Sequence, residues 1–242
     1  MIIDVLTLFP EMFEALNSSI IKRASEKGIV EIRVHNFRDY SKKNSRQVDD
    51  YSYGGGAGMI QSLQALVDCL RSIPGYEKAQ KILTAPVGKV YQQKTVVEFS
   101  KLDHLIIICG HYEGIDDRIE NYVDEAISVG DYVLSGGEIP AFAIIDSVVR
   151  LLPGALGNEE STDIESFDGQ LLEYPQYTRP EVFEGLKVPE VLISGDHEKV
   201  RKYRRFMSLE RTFKRRPDLL EKAELTAEDL KFLEKIKRGE TL

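Results

Sequence analysis

The sequence predicts an α/β protein with a parallel sheet and helices on both faces, followed by a small, mostly helical C-terminal unit. Three observations carry this. Short apolar runs alternate with helix-spaced patterns over the first two-thirds of the 242 residues. One run, HLIIIC at His104–Cys109, is apolar almost throughout, as a strand buried on both faces requires. After Pro153 the alternation stops in LPGALGNEESTDIESFDG, and helical spacing resumes only near His197.

Taken in order, IIDVLTL (Ile2–Leu8) reads as a strand, and Glu11–Glu26 as a helix begun after Pro10. VEIRVHNF (Val30–Phe37) alternates like a half-buried strand, and Ser62–Arg71 has helical spacing. KILTA (Lys81–Ala85) is a strand ended by Pro86, Gln92–Ser100 a helix, and His104–Cys109 the central strand. A strand at Glu125–Val129 and a helix at Pro140–Leu151 complete the first unit. YPQYTRPEVFEGLKVPEVL carries three prolines and little regular pattern. From about His197 to Ile236 the chain is expected to be helical, with Val200, Tyr203, Phe206 and Met207 at helical spacing. These shifts divide the chain into 1–157, a flexible linker 158–170, and a helical unit 171–242.

Composition narrows the class. No apolar run is long enough for a bilayer, and MIIDVLTLFP lacks a basic leader, so a cytoplasmic protein with no membrane role is expected. Cys69 and Cys109 stand alone in apolar surroundings, which argues for buried thiols rather than a disulfide or metal cluster. The net charge is −8, yet Lys199–Arg216 holds nine basic residues against one acid, Glu210. Clustered charge, not the mean, is what a phosphate backbone senses.

Three glycine-bearing loops follow strands: TAPVG (Thr84–Gly88), CGHYEGID (Cys109–Asp116) and VGDYVLSGGEIP (Val129–Pro140). Ligands of open α/β sheets bind beyond the carboxyl ends of the strands, where glycines let a ligand reach backbone N–H and C=O groups. YGGGAGM (Tyr53–Met59) has neither the lysine of a P-loop nor the spacing of a dinucleotide fingerprint, which disfavours a nicotinamide oxidoreductase. Following the basic stretch RDYSKKNSR, it suits a loop that closes over a partner.

DVLTLFPEMF, YGGGAGM, CGHYEGIDDR, VGDYVLSGGEIPAFAIIDSVVRLLPGALGNEES and YPQYTRPEVFEG closely resemble, in order, the motifs of bacterial tRNA (guanine-N1)-methyltransferases, a SPOUT-class family. The resemblance implies a trefoil knot in the C-terminal part of the first unit, a feature pattern reading does not propose. It implies S-adenosylmethionine as methyl donor, tRNA as partner, and a homodimer with its active site at the subunit interface. The implied product is N1-methylated guanosine 37 in tRNA with guanosine at position 36. A magnesium ion is implied by resemblance alone, and no metal-ligand cluster is visible. Two other readings remain: another SPOUT RNA methyltransferase, and a non-catalytic tRNA-binding protein.

By resemblance, the donor pocket comprises Thr84, Ala85 and Pro86, then Gly110, Tyr112, Glu113 and Gly114. It continues through Val129, Gly130, Asp131, Tyr132, Val133 and Leu134 to Gly136 and Gly137. Glu113 lies near the sulfonium or target base, and Arg150 matches the family's catalytic arginine. The chain departs from the family at the base, with Glu165 of IESF where an aspartate is usual, and Asp163 and Asp168 within reach. It departs again in the glycine loop, where Tyr51-Ser52 replaces Arg-Pro and Ala57 replaces proline. Gly55 and Gly58 of that loop, with Arg201, Lys202, Arg204, Arg205, Lys214 and Arg215, are the expected RNA contacts; Arg216 extends the run.

Overall fold

The computed structural model describes residues 1–56, 58–156, 166–167 and 171–242. They fall into two units, Met1–Glu159 and Glu160–Leu242.

The first unit opens with β1 (Ile2–Thr7), a 3-10 turn at Pro10–Leu16, α1 (Ser19–Glu26) and β2 (Glu31–Asn36). The single helix expected over Glu11–Glu26 is therefore two pieces. Ser18 is extended and Ser19 has φ 55°, a conformation no helix continues through. Short strands β3 (Asp49–Asp50) and β4 (Ile60–Gln61) flank the glycine loop, and α2 spans Leu63–Ser72. Then come β5 (Gln80–Val90), α3 (Gln93–Phe99), β6 (His104–Cys109), β7 (Glu125–Ser128) and α4 (Glu138–Val149).

The main sheet has order β2-β1-β6-β5-β7, every pair parallel. Its central strand is β6, and the pleat explains why it is so apolar. Leu105, Ile107 and Cys109 enter one core with α1, α3 and α4, while Ile106 and Ile108 enter the other with α2. Helices therefore cover both faces. Among the polar side chains in the sheet, buried Asp4 accepts from Arg33 at 2.5 and 2.8 Å and lies within hydrogen-bond distance of His35 and His104. Burial raises its carboxyl, but these three partners outweigh it and hold the group well below the usual range.

Pro86 does not end β5 as expected. The strand pairs Thr84 with Ile127, loops outward, and pairs again at Lys89 with that same residue. Pro86, which lacks an N–H, sits in the outward loop where no ladder bond is needed. Gly88 makes the return: a Cβ there would collide with the backbone of Ala126 and Ile127.

In the second unit, β8 (Val182–Phe183) and β9 (Leu186–Lys187) form a hairpin around Glu184-Gly185, both at positive φ. The sequence had shown no regular element there. After α5 (Glu190–Ile193) the expected helical tail is three helices: α6 (His197–Arg215), α7 (Pro217–Leu220) and α8 (Ala227–Lys237). Pro217 stops α6 because it can donate no backbone bond. Phe206 and Leu209 of α6 pack with Phe232, Leu233 and Ile236 of α8 and with Leu171. Thr226 and Asp229 form a reciprocal capping box that starts α8.

Candidate active site

At the carboxyl ends of β5, β6 and β7, three loops enclose a cavity of about 490 Å³. Its walls are Thr84, Ala85 and Pro86 from the first loop and Gly110, Tyr112, Glu113 and Gly114 from the second. The third contributes Val129, Gly130, Tyr132, Val133, Leu134, Gly136 and Gly137. Asp131 alone of the expected donor residues does not line it. Val87, His111, Ile115, Asp117, Glu120 and Ser135 line it without having been singled out in the sequence.

Backbone contacts bind the loops together. Gly137 N–H donates to Gly110 C=O at 2.8 Å, and Thr84 Oγ1 donates to Ile108 or Gly137 C=O at 3.1 and 3.2 Å. A Cβ at Gly137 would collide with Thr84 Oγ1 and stand 2.7 Å from Gly110 N. Only glycine lets α4 begin so close to the end of β6. Tyr112 turns the second loop at φ 63°, a strained conformation for a bulky residue.

The glycine loop reaches the same place. Glu113 N–H donates to Met59 C=O and Gln61 N–H to Gly114 C=O, so the chain leaving the glycine loop runs along the second cavity loop. Gly58 has φ 84°, and a Cβ there would collide with Glu113 Cγ. Gly55 has open space around it. The Gln61 side chain is buried with neither amide atom hydrogen-bonded.

A further polar group lies beneath the third loop. Glu138, 1% exposed, accepts from Thr7 Oγ1 at 2.7 Å, and its other oxygen faces His111 Nε2 at 3.7 Å. Burial, then the Glu138 charge, pushes the nearby Cys109 thiol well above its ordinary range, and burial lifts Cys69 to about 12. Both cysteines are free and buried, unsuited to nucleophilic work.

Arg150 caps the far end of α4, its N–H donating to Asp146 and Val148 C=O. It lies ten positions beyond Pro140, the cavity-lining residue of α4, which places it about 15 Å along the helix from the cavity. Arg150 is therefore not among the cavity-lining residues. Glu165, Asp163, Asp168 and most of the linker lie outside the described residues.

The basic residues of α6 are largely engaged with acids of their own unit. Arg201 pairs with Glu198 and Glu228, Lys202 with Glu198, and Lys214 with Glu210. Arg205 grips the buried carboxylate of Asp229 through two bonds at 2.7 and 2.8 Å. Arg204 lies over the Tyr174 ring at 4.9 Å, and Arg215 is exposed at the end of the helix. The sequence displays the cations and Glu210, but not the partners in α8 or before α6, Glu228, Asp229 and Tyr174.

Among the described residues, no helix is long and apolar enough to cross a membrane. Among the same residues, no group of three or more His, Cys, Asp or Glu is placed to hold a metal ion.

A family model described as tRNA (Guanine-1)-methyltransferase TrmD matches residues 1–222. Proteins named tRNA (guanine-N(1)-)-methyltransferase are similar over almost the entire chain. That of Dictyoglomus turgidum is 52% identical over 237 residues, covering 98% of this chain and 96% of the relative. That of Clostridium novyi is 53% identical over 232 residues, 96% of each. That of Moorella thermoacetica is 52% identical over 243 residues, 98% of this chain and 97% of its own. With a glycine-walled cavity at the strand ends and this match from end to end, the chain belongs to the tRNA (guanine-N1)-methyltransferase family.

Proposed function

We propose that this protein transfers a methyl group from S-adenosylmethionine to N1 of guanosine 37 in tRNA having guanosine at position 36. The observation that carries the reading is the convergence of three glycine-bearing loops on one cavity in a member of this family. The cavity fits the donor: it has the volume for a nucleoside-sized ligand, loop backbone to read an adenine edge, and glycines that let its walls pack where a Cβ would collide.

S-adenosylmethionine supplies a methyl group already activated on a sulfonium. The chain's own task is to orient the base and balance charge. Guanine N1 carries a proton at neutral pH and is a poor nucleophile until that proton leaves. Glu165 accepts the proton, and Arg150 stabilises the negative charge that develops on O6. Glu113 lines the cavity, and in this reading it stands near the sulfonium or the target base.

The active site belongs to a homodimer, in our reading. Arg150 stands about 15 Å from its own chain's cavity along α4, farther than an arginine side chain extends. A second copy supplies it. The loops of the cavity are threaded as a trefoil knot, a reading that rests on membership of the family. Residues 171–242 form a tRNA-binding domain. Within it Arg204, stacked on Tyr174, and exposed Arg215 are placed to meet phosphate, with Arg201, Lys202 and Lys214 exchanging their own acids for it. The reaction takes place in the cytoplasm, where the two free thiols are stable.

Single-turnover transfer to a tRNA transcript tests the catalytic assignment. Glu165→Gln and Arg150→Ala are each expected to slow transfer by about 100-fold or more. An unimpaired Glu165→Gln would move the proton transfer to Asp163 or Asp168.

A further inference from the structure

Beneath the cavity lies a buried carboxylate that the reaction does not use. Glu138 opens α4 immediately after Gly136 and Gly137, where the positive end of a helix favours an acid. Its two oxygens face different parts of the sheet. Oε1 accepts from Thr7 Oγ1 at 2.7 Å, and Thr7 is itself fixed by the Phe9 N–H at 2.9 Å. Oε2 faces His111 Nε2 at 3.7 Å. Phe9 returns to the same point, its ring centroid 4.8 Å from that of His111.

His111 belongs to the second cavity loop and Gly136 to the third, and their separation depends on this group. A Cβ at Gly136 would lie 2.5 Å from both His111 Nε2 and Glu138 Oε2. The backbone of the third loop is thus pressed against the pair. A buried carboxylate with one hydroxyl partner is costly, and the His111 imidazole stands beside its second oxygen at 3.7 Å. The ring, about one-quarter exposed, in turn forms part of the cavity wall.

We propose that Thr7, Glu138 and His111 form a positioning relay that sets donor affinity by holding the second and third cavity loops in register, with Glu138 acting through His111. This rests on reading the cavity as the S-adenosylmethionine site. Glu138 is a positioning residue: it reaches the cavity only through His111 and Gly136.

Binding of S-adenosylmethionine, measured by calorimetry on the full-length protein, tests the relay through a double-mutant cycle. Glu138→Gln keeps the size and an acceptor for Thr7 but removes the charge, and His111→Asn removes the ring. Each is expected to weaken donor binding about tenfold, and the double variant about tenfold as well, because one interaction is lost in all three. In steady-state transfer the loss is expected in the donor KM far more than in kcat or the tRNA KM. Losses that multiply to about a hundredfold in the double variant, or unchanged donor binding in both singles, would overturn the relay. Should Glu138→Gln fail to fold, Thr7→Val and His111→Asn make the same cycle from the other end. A folded wild type that binds no donor would overturn the cavity assignment itself, and the relay with it.

Discussion

Gly137 shows how a single hydrogen atom in place of a side chain sets the chemistry available to this protein. Its carbonyl and amide contact Thr84 and Gly110, and a methyl group would occupy the space between them. Gly137→Ala is expected to weaken S-adenosylmethionine binding at least tenfold, measured by calorimetry, with the helical unit unaffected. Gly58 poses the same question for the glycine loop, since its Cβ would meet Glu113. Gly58→Ala carries the added strain of φ 84° and should lower transfer rate more than donor affinity, because it displaces the Glu113 carboxylate rather than forcing two cavity loops apart. Equal loss in both quantities would show instead that the loop itself supports the donor.

At the scale of elements, the α6–α8 pair is pinned by Arg205 and Asp229. Burial raises the Asp229 carboxyl, but hydrogen bonds from Arg205 and Thr226 outweigh it and hold it at about 2, below its ordinary 3.8. A lowered folded value means that the stabilisation is present above about pH 4 and is lost as pH falls toward 2. The shift is worth on the order of 2 kcal/mol. Asp229→Asn should therefore lower the stability of the helical unit by about that amount at pH 7 and by much less near pH 2, read from denaturant midpoints. A loss independent of pH would assign the effect to capping alone.

Elements with a strong period were legible in the sequence: β6 over His104–Cys109, the α2 segment, and the basic helix α6. Those decided by tertiary context were not. β5 continues past Pro86 because β7 receives it again at Ile127, and β8–β9 is too short to show alternation. The same division holds at the site. The glycine loops announced the cavity, since glycine at strand ends has few other uses. The bond from Thr7 to Glu138 spans 131 residues and joins two motifs that no local pattern connects.

For the whole molecule, the proposed action of Arg150 on the cavity of a second copy makes a prediction of its own. In mixed dimers of Gly137→Ala and Arg150→Ala subunits, trans action by Arg150 leaves one site with an intact cavity and an intact arginine. A purified mixed dimer should have about half of the wild-type activity, and a freely exchanging equal mixture of the two variants, each nearly inactive alone, about a quarter. If Arg150 served its own chain's cavity, every site in the mixed dimer would carry one lesion and no activity would return.

The most direct test of the central claim is transfer of a labelled methyl group from S-adenosylmethionine to tRNA transcripts bearing guanosine or adenosine at position 37, with the methylated atom identified by mass spectrometry of the nucleosides. Label at N1 of guanosine, and none on the adenosine transcript, is the predicted result. Label on a ribose oxygen, or no label from a folded protein that binds the donor, would contradict it.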